Sequence, residues 1–222
     1  MTDTAASGSR ARPSTRQKRT DILKAAIEIF GNKGYTNGTL ADIAEQVGMT
    51  HAGVLHHFGS KQNLLLEVIA YRDEADVEEL DDKHIPGGAD LFLHLVRTAF
   101  ENARRPGIVQ VYTVLSSESV TDGHPGRDYF EHRYTTLRRD VADAFRIICT
   151  AEGVTDDAAI ELAAASILGV MDGLQLQWLL LPGTIGLGEA SEFAIRAIVN
   201  AVLHPGPDLP HASDLGATSA AC

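Results

Sequence analysis

The chain has few of the residues that build covalent or metal staples. Its 222 residues include two cysteines, Cys149 and Cys222, too few and too far apart for a disulfide framework or a zinc site, which fits a reducing compartment. It has no unbroken apolar run approaching the roughly 18–20 residues a membrane-spanning helix needs. Its basic first 19 residues lead into no apolar segment, so they do not read as a secretory signal. The expected location is cytoplasmic, with no membrane partner. Alternating strand patterns are missing too. The best candidate, VQVYTVL at 109–115, stands alone among helical patterns and reads as a buried helix. A glycine-rich phosphate loop, H-E-x-x-H and G-x-S-x-G are all absent, so no enzyme activity and no cofactor are expected. His51 and His56 are five apart and His56 and His57 are adjacent, so neither pair has the i, i+4 spacing of two helical metal ligands, and no metal site is expected.

Hydrophobic residues make up 44% of the chain, an ordinary share for a packed protein. The net charge of -11 is unevenly spread. Met1 to Lys61 carries eight basic and five acidic residues, a balance of +3, and the remainder carries -14. A basic head on an acidic body suits a DNA binder whose second part stays off the duplex.

Periodicity predicts an all-α chain. Residues 1–14 read as a disordered arm, 15–61 as a three-helix head, 62–204 as a larger helical body and 205–222 as a flexible tail. In the first helix Ile22, Ala26, Ile29 and Phe30 recur at helical spacing. Gly31 and Gly34 read as stop signals, and Asn37-Gly38 as a turn. Thr39 is placed to cap a second helix, with Asp42 in its first turn. Further helices are expected at about 62–82, 89–104, 107–119, 126–152, 156–181 and 189–203.

Residues 39–61, TLADIAEQVGMTHAGVLHHFGSK, carry the most information. Two crossing helices need a small residue where they touch and a permissive one in the turn. Ala44 and Gly48 supply these, and Val54, Ile43 and Val47 close a small core. A second helix capped by Thr50 would present Thr50, His51, Ala52 and Gly53 to base edges, because the N-terminal part of a recognition helix enters the groove first. His56 and His57 would lie near the sugar-phosphate wall. Lys61, at the start of the following helix, would meet a phosphate. Arg16, Lys18 and Arg19 are candidates for one more phosphate contact.

At this point the chain resembles the TetR (tetracycline-repressor) family of transcriptional regulators. The resemblance is carried by R-x-D-I-L-x-A-A (Arg19 to Ala26), F-x-x-K-G-Y (Phe30 to Tyr35), T-x-x-D-I-A (Thr39 to Ala44), V-G-M-T (Val47 to Thr50) and H-H-F-x-S-K-x-x-L (His56 to Leu64). It implies an all-helical homodimer with a DNA-binding head and a body that binds a small-molecule effector. It also implies a double-stranded, palindromic operator and a four-helix dimer interface from the last two helices. Family members usually have tyrosine where this chain has Leu55, so one phosphate contact is in question. A repressor released by a small apolar or amphipathic effector is the leading reading. An activator or effector-independent regulator of the same fold is the other.

The body is less legible. Residues 158–183 are apolar nearly all round, which predicts burial on more than one side. Ala163, Ala164, Ala165, Ser166 and Gly169 would permit close helix approach there. The candidate pocket residues are Phe92, His94, Phe100, Tyr112, Leu115, Phe130, Tyr134, Met171, Asp172, Gln175 and Trp178. Most of these are expected to be ordinary core, and Trp178 is placed either in the packing or in a pocket.

Overall fold

The computed structural model describes residues 14–77 and 86–206, with residues 72–77 as helix backbone alone. The expectations for the arm before Ser14, for the end of the fourth helix and for the tail with Cys222 lie outside the described residues. Nine helices are described: α1 (Thr15–Asn37), α2 (Leu40–Gln46), α3 (His51–Phe58), α4 (Lys61–Val77), α5 (Ala89–Asn102), α6 (Pro106–Glu118), α7 (Arg127–Glu152), α8 (Asp157–Leu180) and α9 (Leu187–Leu203). No strand occurs among the described residues, and residues 109–115 lie within α6.

Ser14 starts α1, its Oγ accepting the Gln17 N–H at 3.2 Å. Gly31, expected as a stop signal, is instead buried inside α1. A Cβ there would lie 3.5 Å from Val111 of α6, an ordinary packing distance, so this position lies in the α1–α6 contact. Gly34 does break the helix, at φ +71°, a conformation that favours glycine. One further turn follows, closed by the Gly38 N–H on the Gly34 carbonyl at 3.1 Å.

Two hydrophobic clusters hold the chain together. The first joins α1–α4 to Val111, Tyr112 and Leu115 of α6 and Phe130 of α7. The second joins α5, the C-terminal half of α7, α8 and α9. The core of the head therefore extends well past residue 61 in sequence. α4 continues the chain from head to body, and the broadest packing between the two is α1 on α6. Phe100 sits against Gly188, where a side chain would collide with its ring, and so wedges α5 against α9 rather than facing a pocket.

The most apolar 18-residue window of α8 has a mean hydropathy of 1.4, and by length and composition α8 could cross a membrane. Scattered polar residues break the run and hide this from a search for uninterrupted apolar sequence. α8 packs on α7 and α9. Its other side leaves Leu162 at 70% and Leu180 at 68% exposed, beside Leu176, Leu181 and Phe193 of α9 at 77%. These are large apolar side chains left in solvent on two neighbouring helices.

Candidate functional site

The α2–α3 unit is fixed by local chemistry. Thr39 and Asp42 form a capping box: the Thr39 Oγ accepts the Asp42 N–H at 3.1 Å, and Asp42 accepts the Thr39 N–H at 2.9 Å. That backbone hydrogen bond, with help from Lys33, holds the Asp42 carboxyl down at about 2. Gly48 makes the turn at φ +65°. Ile43, Ala44 and Val54 are buried at the crossing. Thr50 caps α3 through the Gly53 N–H at 3.1 Å. A side chain at Gly53 would crowd Met49 and the Thr50 hydroxyl, so its smallness also protects the cap. Thr50, His51, Ala52 and His56 are exposed along the outer side of α3.

Behind this surface lies a brace. Arg19 of α1 donates to the His57 carbonyl at 2.6 Å, pairs with Glu67 of α4 and lies 4.3 Å over the Phe58 ring. One guanidinium thus ties α1, α3 and α4 together. Lys61 has its ammonium 4.3 Å over the Tyr35 ring and 3.5 Å from the Thr36 carbonyl. Burial lowers its pKa, and Glu118 opposes that shift. Glu118, at the end of α6, accepts the Tyr35 N–H at 2.6 Å, beside the break at Gly34. His124 packs edge-on against Tyr35, 5.2 Å between centroids. Its Nδ1 accepts the Gly126 N–H at 3.1 Å, while its buried Nε2 has no partner.

The body holds a cavity of about 280 Å³ between α5, α6, α7 and α8. Leu91, Leu95, Leu137, Val141, Leu168 and Met171 supply apolar wall, with His94, Tyr112, Tyr134, Asp172 and Gln175 among them. Tyr134 donates to Asp172 at 2.6 Å, and the Arg133 Nε donates to the Tyr112 hydroxyl at 3.0 Å. Burial, then the neighbouring Tyr112 and Asp172, push the Tyr134 phenol far up, so it stays a neutral donor. Tyr134 and Asp172 also border two further depressions, of about 270 and 320 Å³. Among the described residues no group of three or more His, Cys, Asp or Glu side chains could hold a metal ion.

Comparison with known proteins decides the family. Residues 22–68 match the bacterial regulatory proteins of the tetR family, and residues 89–204, just over half the chain, match the C-terminal region of BetI-type transcriptional repressors. The chain belongs to the TetR family of transcriptional regulators. Among its relatives are the HTH-type transcriptional regulator ArpR of Pseudomonas putida, 25% identical over 80% of this chain and 88% of that one, and the HTH-type transcriptional repressor AcnR of Corynebacterium jeikeium, 24% identical over 82% and 92%. A solved transcriptional regulator from Pseudomonas aeruginosa shares the fold, with a TM-score of 0.70 at 20% identity over 88% of this chain and 94% of that one.

In this TetR-family regulator the residues singled out from sequence fall into distinct groups. Thr39, Thr50, His51, Ala52 and His56 are exposed, as is Arg16, while Lys18, Gly53 and His57 are half-buried. Arg19 and Lys61 are engaged within the protein as described. Leu55, where the family has tyrosine, packs against the core of the head. In the body, His94, Tyr112, Tyr134, Met171, Asp172 and Gln175 come together around the cavity, and Phe92, Leu115, Phe130 and Trp178 do not line it. Phe92 packs at a tilt against Phe145, 4.7 Å between ring centroids. Leu115 is fully buried in the core of the head. Phe130 packs between Tyr112 and Tyr129. Trp178 is half-buried on α8. These four are large side chains at helical spacing, and periodicity alone does not say which wall they face. Sequence reasoning missed Tyr35, Glu118 and His124. Tyr35 lies 83 positions before Glu118, and no local motif links it to Glu118 and His124.

Proposed function

We propose that this regulator is a homodimeric transcriptional repressor that a small apolar or amphipathic effector releases from a palindromic operator. The supporting observation is the double membership of Tyr112, which lines the body cavity and is buried in the core of the head. A molecule that moves α6 by occupying the cavity must also disturb the packing under α1. Differential affinity for the two arrangements then sets the coupling, typically ~1–3 kcal/mol.

On the operator, Thr50, His51, Ala52 and Gly53 face base edges, and Thr39, Leu55, His56 and His57 flank the backbone. Arg16, Lys18 and Lys61 meet phosphates, and Arg19 chiefly holds α3 in place. The exposed apolar surface of α8 and α9 pairs with its copy. Two-fold symmetry then sets two α3 helices about one turn of DNA apart, roughly 34–36 Å. The protein acts in the cytoplasm.

The test is fluorescence anisotropy on duplex DNA from upstream of the protein's own gene, against a scrambled duplex. Selective binding that falls steeply with salt supports the reading. Absence of binding to either duplex at low salt sinks it.

A further inference from the structure

The polar groups of the body cavity point to a chemical class of effector. Three lining residues carry formal charge, Arg133, Asp140 and Asp172, and each is already engaged. Arg133 donates to the Tyr112 hydroxyl, Asp172 accepts from Tyr134, and Asp140 accepts from Arg139 at 3.0 Å. A charged ligand would have to compete with the phenols that already hold Arg133 and Asp172, and to give up water for a site walled largely by apolar side chains.

One residue of the lining is different. Gln175 is 4% exposed, and its Oε1 has no hydrogen-bond partner. The other unpartnered buried side-chain atoms among the described residues belong to Asn102, His124 and Ser191, none of which lines this cavity. A buried amide without a partner is costly, and a ligand group that meets it recovers the loss. A carboxamide can present its oxygen or its NH2 by rotating about its last bond, and a hydroxyl answers both. The volume, about 280 Å³, is at the small end for ligand pockets.

We infer that the effector is a small, uncharged, largely apolar molecule carrying a hydroxyl group, which Gln175 binds. This rests on the effector reading above and deepens it.

Four probes of matched shape test the inference by calorimetry on the full chain: 4-propylphenol, 4-propylanisole, 4-propylbenzoate and 4-propylbenzylammonium. The phenol is expected to bind tightest. The anisole should bind roughly tenfold weaker, and both charged twins more than roughly a hundredfold weaker. Gln175→Leu should erase the gap between phenol and anisole. It should also raise the thermal midpoint of the unliganded protein by about 2–4 °C, because it removes the unsatisfied group. Opposite signs for ligand affinity and stability are not expected of a merely structural residue.

A charged twin that binds as well as the phenol overturns the proposal. So does equal binding of phenol and anisole by the wild type, or no binding of any probe. The anisole comparison needs no variant, so it stands even if Gln175→Leu fails to fold. Operator binding is measured on the same preparation. A protein that binds operator but none of the probes refutes the ligand class alone, and one that binds no DNA refutes the regulator's proposed mode of action.

Discussion

The head and the body satisfy their polar groups differently. In the head, Thr39 and Thr50 close their own helix starts, Ser60 accepts the Asn63 N–H at 3.0 Å near the start of α4, and Arg19 ties three helices together. In the body, α5 begins at Gly88 with no side-chain cap, and Asn102, Gln175 and Ser191 keep buried polar atoms without partners. The head is thus arranged to hold one shape, which a reading surface needs if its few contacts are to fall in register. The body leaves polar groups unmatched, and one of them, on Gln175, lines the cavity, where a ligand has something to gain.

The sharpest way to break this comparison is to strike the seam. Leu115 is on a body helix by sequence but fully buried in the core of the head. Leu115→Ala should destabilise the protein by ~2–5 kcal/mol in a denaturant titration and weaken operator binding by the fraction that stays folded. Ile167→Ala, in the second core, should cause a similar loss of stability with operator affinity intact. Equal effects on DNA binding would show that the two cores do not behave separately. Gly34→Ala comes next. It forces a side chain into positive φ and against the Glu118 carboxylate, so about 1–3 kcal/mol of stability should be lost, with melting as the readout. Thr50→Ala should lower stability by ~1 kcal/mol and reduce DNA affinity, because the cap sets the end of α3 that enters the groove.

The smallest expected effect is one of pH. Burial lowers the pKa of His124, outweighing the opposite pull of Glu118. In the unfolded chain the same imidazole takes a proton near pH ~6.5. Below that pH the unfolded state binds the extra proton first, so stability should fall as pH drops from about 6.5 toward the folded value. His124→Gln should flatten that limb of the pH–stability curve, and an unchanged limb would assign the dependence to other groups.

Much of the head could be read from sequence because its signals are local. Thr39 with Asp42, Thr50 with Gly53, and Gly48 between them lie within a few residues of one another, and periodicity placed Ile43, Ala44 and Val54 at the crossing. Gly31 misled because a glycine near a helix end reads as a stop, whereas it is buried inside α1 against Val111, eighty residues away. The body was harder for the same reason. Tyr134 and Asp172 meet across 38 positions, and Leu115 and Phe130 face the head rather than the cavity. A hydrophobic stripe shows that a helix has an inner side but not what lies against it. Arg19 shows a further limit. A basic residue near a DNA-reading helix suggests a phosphate, yet this guanidinium already joins the His57 carbonyl and Glu67 inside the protein.

The way the head borrows from later sequence also bears on how the protein is made. Val111, Tyr112, Leu115 and Phe130 emerge from the ribosome long after the helix-turn-helix they complete. The reading unit therefore cannot finish folding during synthesis until α6 and the start of α7 have been translated. A message truncated before that point yields a head with an open core, fit for proteolysis rather than for occupying DNA. Premature stops in this gene should behave as simple losses of function, without leaving behind a fragment that competes for the operator.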